Sequence, residues 1–299
     1  MRKIIVVAVV GLLAQLVDGS LGMAYGVTST TLLLTVAAVS PAVASASVHL
    51  SEIGTSLASG ISHWRLKNVD WRVVARIAIP GAIGAFLGAS VLSAISTEVA
   101  APIMAGILFA LGIYIFVRFL IGLRPRMKGQ VGLKFLAPLG VFAGFIDATG
   151  GGGWGPVATP ALLTDGRMEP RKVIGSIDTS EFAVSVAASL GFIIGLGSAG
   201  IRWDLALALL AGGVIAAPIA AYLVRIAPAH LLGIAVAGVI LLSNSRTLLK
   251  FAEVDPGPRW VVYGLIFAAV VAGLVVAVIR HRGRTQDAEP EHAKESATV

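Results

Sequence analysis

Glu52 and Glu181 each stand near the middle of a long apolar stretch, residues 42–63 and 171–197. An ionisable group at bilayer depth is costly to keep, and where it is kept it usually serves function. His49, Glu52 and Ser56 are spaced i, i+3, i+7 and so share one face of a helix. Asp178, Glu181 and Ser185 repeat the arrangement. A carboxylate that cannot cheaply stay ionised is suited to exchanging protons, and these groups are candidates to carry a coupling proton. The same residues also fit a structural role, in which a carboxylate caps the free N–H groups of a broken helix. Asp18 and Asp147 suit that role best, because they stand where apolar segments stop and restart. A single membrane histidine such as His49 is also commonly a packed hydrogen-bonding group.

The second chemical feature is a pair of glycine-rich breaks, Asp18–Gly26 and Asp147–Gly155. Glycine lets a backbone turn tightly and lets a ligand approach it closely. Helices are predicted to start just beyond each break, and their free N–H groups attract anions. The residues expected to line a substrate site are therefore Gly19, Ser20, Gly22, Tyr25, Gly26, Thr28 and Thr30 in the first break. In the second they are Thr149, Gly150, Gly151, Gly152, Gly153, Trp154 and Thr159. Neither break contains Lys or Arg. Amides and hydroxyls would hold an anion loosely enough to release it. The competing reading is that the glycines only permit two tips to pack closely.

Other chemistry is poorly represented. The chain has no cysteine, which excludes disulfides, thiolate nucleophiles and cysteine metal sites. It has no HExxH pattern, and the run Gly150–Gly153 lacks the following Lys and preceding strand of a phosphate loop. No metal site, cofactor or catalytic residue is expected, and an enzyme is not the reading. The formal charge of +7 does not point to nucleic acid, because the basic residues fall in short loops between apolar segments.

Positioning these residues requires a membrane bundle. With 57% hydrophobic and 13% charged residues, the composition leaves the range of soluble domains. A spanning helix needs about 20 apolar residues. Residues 42–63, 73–96, 100–121, 171–197, 203–225, 230–249 and 259–280 qualify. Four apolar pieces are short: 4–17, 27–39, 133–146 and about 156–164. Each covers about half a bilayer. A break of that kind inside lipid is tolerated only where protein or a watery cavity covers it. Re-entrant hairpins and short crossing helices both satisfy this. Pro41 and Pro170 suit first helical positions, Trp64, Trp71, Trp203 and Trp260 read as interfacial anchors, and Gly84 and Gly88 suit helix packing. The start, Met1-Arg2-Lys3 and an apolar run, is read as mature structure rather than a signal peptide, since it has a counterpart inside the chain.

That counterpart belongs to an internal repeat. At a shift of 129, the distance from Asp18 to Asp147, about 50 residues align without gaps. Gly22 pairs with Gly151, Gly26 with Gly155, Thr30 with Thr159, Pro41 with Pro170 and Glu52 with Glu181, while Tyr25 faces Trp154. Further on the shift becomes 132, the distance from Trp71 to Trp203. The expected organisation is a first half over 1–123, a basic cytoplasmic linker over 124–131, a second half over 132–252, an extra transmembrane helix over 253–281 and a disordered cytoplasmic tail over 282–299. Most Lys and Arg, from Arg65 to Arg284, fall on one side if the N-terminus lies outside; Arg2, Lys3, Arg246, Lys250 and Arg259 depart from this. Each half then makes an odd number of crossings, and the copies are inverted. The fold class is an all-α polytopic membrane protein, an inverted repeat with discontinuous helices or hairpins. Its expected location is the cell membrane, with the C-terminus cytoplasmic.

The segments Asp18-Gly-Ser-Leu-Gly-Met-Ala-Tyr-Gly26 and Phe145-Ile-Asp-Ala-Thr-Gly-Gly-Gly-Gly-Trp-Gly-Pro156, with the paired Ser51-Glu52 and Ser180-Glu181, resemble the TauE/SafE sulfite exporter family of membrane permeases. The resemblance covers about residues 5–250. It implies movement of sulfur-containing or carboxylated anions: sulfite, sulfonates such as sulfoacetate, or thiosulfate. The cysteine-dependent thiosulfate permeases are a poor match to a chain without cysteine. The expected function is a secondary transporter, an exporter of such anions working by alternating access, with proton coupling and plain uniport both open. A cation transporter using the carboxylates as ligands is the alternative. The expected partners are a small anion and the lipid bilayer, and an oligomer is compatible with the sequence.

Overall fold

The computed structural model describes the backbone of residues 2–21, 23, 25–121, 131–165, 167–223 and 229–296. Side chains are described within these ranges except at 2, 17, 19–21, 163–164, 170–171, 217–223, 229–230, 232, 236 and 281–296. Gly22, everything but the backbone of Gly19 and Ser20, and nearly all of the 124–131 linker thus lie outside the described residues.

Every regular element among the described residues is helical. The first half holds α1 (Arg2–Leu21), α2 (Tyr25–Leu32) continued by a π-helical turn (Leu33–Ala37), α3 (Pro41–Arg65), α4 (Trp71–Ala94) and α5 (Thr97–Ile121). The second holds α6 (Leu133–Gly150), α7 (Trp154–Asp165), α8 (Pro170–Leu196), α9 (Trp203–Leu223) and α10 (Ala229–Phe251). The last helix, α11 (Pro256–Ser296), carries helical backbone into the segment where composition predicts a disordered tail.

The breaks are narrower than the apolar pattern suggests. α1 has 20 residues and α6 has 18, so both run past their aspartates instead of stopping before them. Polarity does not end a helix. A change of backbone conformation does, and in α6 it comes at Gly151, whose φ of 69° lies in the left-handed region. The half-length description holds for α2 and for the 12-residue α7. Pro41 opens α3, where Ser40 caps Val43 N, and Pro170 opens α8. By length and apolar character α4, α5, α6, α8, α10 and α11 suffice to cross a membrane. α3 is long enough at 25 residues but is serine-rich on its buried face.

Helices at positions matched in the sequence pack in corresponding pairs. α1 lies along α9, and its counterpart α6 lies along α4, the counterpart of α9. α3 packs on α8 and α5 on α10, each helix against its own counterpart. Atomic detail follows. A Cβ on Gly11 would overlap the Leu209 backbone, and a Cβ on Gly140 would meet Ile77 O at 2.8 Å; these pairs correspond at shifts of 129 and 132. Gly84 and Gly88 bring α4 onto the carbonyls of Val141 and Phe145 in α6. Trp64, Trp71, Trp203 and Trp260 are all exposed at helix ends, and α11 lies outermost with a largely exposed apolar surface.

Candidate functional site

The two breaks meet. A Cβ on Gly26 would stand 2.6 Å from Gly152 Cα, and one on Gly152, whose φ is 143°, would overlap Gly26 C and Val27 N. Backbone therefore touches backbone here, and only glycine fits on either side. Two further bonds hold the second tip. Thr30 donates its hydroxyl to Gly151 O, and Ser45 donates to Ala148 O at 2.7 Å. The tip aromatics seat in the opposite halves: Trp154 is fully buried against Gly81, and Tyr25 lies against Gly213. Gly81 and Gly213 are themselves counterparts. Tyr25 OH lies 3.1 Å from Ser51 Oγ, and Trp154 Nε1 donates to Ile177 O at 3.1 Å.

The amides expected to face an anion are occupied. Asp147 Oδ1 accepts from Gly153 N at 2.6 Å and from Trp154 N at 3.0 Å, the amides just before and at the start of α7. Asp18 Oδ1 accepts from Tyr25 N at 3.1 Å at the start of α2. Each aspartate reaches seven residues forward, so the two caps correspond. Charge at a helix N-terminus is favourable, and the aspartates supply it from within the chain. The hydroxyls of Thr28 and Thr159 are buried and lack hydrogen-bond partners, whereas Thr149 turns back to Phe145 O at 2.6 Å.

A small cavity lies beside the tips, lined by Asp18, Glu52, Asp147, Asp178 and Glu181 together with tip backbone from Gly152 to Pro156. Carboxylates from α1, α3, α6 and α8 thus share one space. It offers only about 10 Å³ to the centre of a water-sized sphere, enough for one water and not for a sulfur oxyanion. The site is closed in this conformation. His49 Nδ1 lies 2.9 Å from Glu52 Oε2 and 3.8 Å from Asp147 Oδ2, all three side chains fully buried. His49 Nε2, Glu52 Oε1 and Asp147 Oδ2 have no hydrogen-bond partner. One ligand atom from each residue falls within 4.8 Å of the others, a spacing a cation can bridge, although no metal site is expected from the sequence. Ser185 Oγ donates to Glu52 Oε2 at 3.4 Å, so the serine spaced with Glu181 serves the other half's glutamate.

The structure thus brings together both breaks and all six titratable candidates. Two contributors escape sequence reading: Ser45 and Asn244. Asn244, buried on α10, donates to Thr31 Oγ1 at 3.2 Å and steadies α2. A lone Asn in an apolar helix is the signal that could have found it.

Residues 7–247 match the family described as Sulfite exporter TauE/SafE. The probable membrane transporter protein YtnM of Bacillus subtilis (strain 168) is 48% identical over 300 residues, covering 99% of this chain and 100% of that protein. The probable membrane transporter protein YdhB of the same organism is 28% identical over 145 residues, 46% of this chain and 58% of the relative. No solved structure matches the chain. With its paired glycine tips, its buried carboxylates and its apolar helices, this chain is a multi-pass membrane transport protein that belongs to the TauE/SafE sulfite exporter family.

Proposed function

We propose that the protein moves small sulfur-containing anions, sulfite or organosulfonates, by alternating access about the paired tips, and that anion binding is linked to proton uptake. The observation that carries this reading is the occupation of the α7 amides by Asp147. A carboxylate and an anion compete for the same donors. When Asp147 takes a proton it loses its charge-assisted hold, and an anion can replace it at Gly153 N and Trp154 N. Several carboxylates around a space for one water would repel an anion strongly unless protons neutralised them. Entry therefore requires both protonation and movement of the tips. The two-fold exchange of helix partners supports an inverted pair of halves, the arrangement that lets one site face either side in turn. An interior-negative membrane potential favours anion export by about 2.3 kcal/mol per charge per 100 mV. The plasma membrane, with N-terminus outside and C-terminus cytoplasmic, is the location proposed.

The test is sulfite and sulfoacetate flux in proteoliposomes, with and without a pH gradient. The reading expects flux of at least one of them, changed in rate by the gradient. Absence of flux for both, with stabilisation by Na⁺ alone, would favour a cation at His49, Glu52 and Asp147.

A further inference from the structure

His63 stands in the last turn of α3, where the sequence suggests no role for it. Its Nε2 lies 3.4 Å from Asp178 Oδ2, and Ser59, one turn earlier, donates to the same oxygen at 2.5 Å. The His63 side chain is 24% exposed and that of Asp178 12%. Asp178 is the carboxylate beside the His63 ring. Arg65 follows on the same helix, and Glu181 on α8 and Asp18 on α1 stand behind Asp178. A second small cavity adjoins this pair. Ser59 and Asp178 line it on the side of His63, and Thr55, Ser56 and Glu52 line it deeper along α3. It shares Asp18, Tyr25, Glu52, Asp178 and Glu181 with the cavity beside the tips, and it too has room for one water. Asp178 and two water-sized spaces with shared lining residues thus lie between a part-exposed histidine and the carboxylates of the proposed site.

The repeat makes this route one-sided. At the shift of 129, Asp178 corresponds to His49 and Phe192 corresponds to His63. The corresponding contact is present: Phe192 stacks on His49 with ring centroids 6.1 Å apart and planes 18° from parallel. Phe192 is fully buried. One position thus holds a part-exposed imidazole at one end of the bundle and a buried phenyl ring at the other. An imidazole exchanges protons near neutral pH, and a phenyl ring has none to exchange.

We propose that His63 is the port through which the buried carboxylates reach protons from the membrane face where α3 ends, and that Phe192 closes the two-fold-related route. This rests on the proton-linked reading of the site given above. The step is proton transfer alone. His63 Nδ1 is buried without a hydrogen-bond partner here, so the ring first turns it to solvent, where it takes a proton from water; the Asp178 carboxylate then takes the Nε2 proton of the imidazolium, and the cavity water passes it on toward Asp18, Glu181 and Glu52. The test uses the full-length protein in proteoliposomes with a pH-sensitive dye and labelled sulfite. Two quantities are read: proton movement during net sulfite flux, and sulfite–sulfite exchange, which needs no net proton transfer. His63→Phe copies the corresponding position, and His63→Gln keeps a donor toward Asp178. Both variants are expected to slow the proton-linked flux about tenfold or more while exchange persists near the wild-type rate. Equal loss of both quantities, or full proton-linked flux in both variants, would overturn the port. Wild-type sulfite flux that moves no protons would overturn the coupling reading itself, and the port with it.

Discussion

Asp147 combines two tasks that substitution can separate. Its Oδ1 caps α7, and its Oδ2 is buried without a hydrogen-bond partner. Asp147→Asn keeps an acceptor for the cap but cannot ionise. The expected outcome is a folded protein whose anion affinity no longer rises as pH falls, checked by binding titrations at several pH values. Wild-type affinity should rise as pH falls, by up to about tenfold per unit for each linked proton. Asp147→Ala should also lose the cap and about 1 kcal/mol of stability, read as a lower thermal midpoint. Glu52→Gln and Glu181→Gln should each suppress the part of the flux that a pH gradient drives, and unchanged coupling in both would remove them from the mechanism. The carboxylates were legible because charge is rare in apolar helices. The capping role of Asp18 and Asp147 was legible too, since they stand where helices restart; which amides they hold was not, because the seven-residue span from aspartate to amide depends on the turn between. His63 was missed for the same reason: near a helix end it reads as interfacial until tertiary packing sets Asp178 beside it.

Among the elements, the two tips are the most sharply constrained. Gly26→Ala places a methyl group 2.6 Å from Gly152 Cα and 2.9 Å from Glu52 Oε1, with backbone on one side unable to yield. Overpacking of this kind costs about 1–3 kcal/mol. A drop in thermal midpoint together with loss of flux is expected. Gly106→Ala is the control: its added Cβ meets nothing within 4 Å, and replacing a glycine inside α5 should be neutral or stabilising by up to about 1 kcal/mol. Equal behaviour of the two variants would contradict the tip contact. The sequence announces these tips through two glycine-rich breaks at matching positions. It places the helix ends too early, because hydropathy falls at Asp18 and Asp147 while helical hydrogen bonding continues to Leu21 and Gly150. Whether the glycines face a ligand or each other also needed coordinates, and in this closed conformation Gly26 and Gly152 face each other.

For the whole molecule, helices matched by the Asp, Glu, Pro and Gly correspondences pack in matching pairs, α1 on α9 and α6 on α4. The sense of insertion can be read directly by cysteine labelling, because the chain has no native cysteine. A cysteine at the exposed Arg65 should resist a membrane-impermeant maleimide in intact cells, and one at the exposed Ser198 should react. The reverse pattern would invert the bundle and move the His63 port to the outer face. The central claim is that an anion takes the amides from Asp147 only as protons arrive. Calorimetric titration of the purified protein with sulfoacetate and sulfite, in buffers of different ionisation enthalpy, measures protons taken up per anion bound. The account predicts at least one proton in the wild type and fewer in Asp147→Asn. Binding of either anion to the wild type with no proton uptake would contradict it.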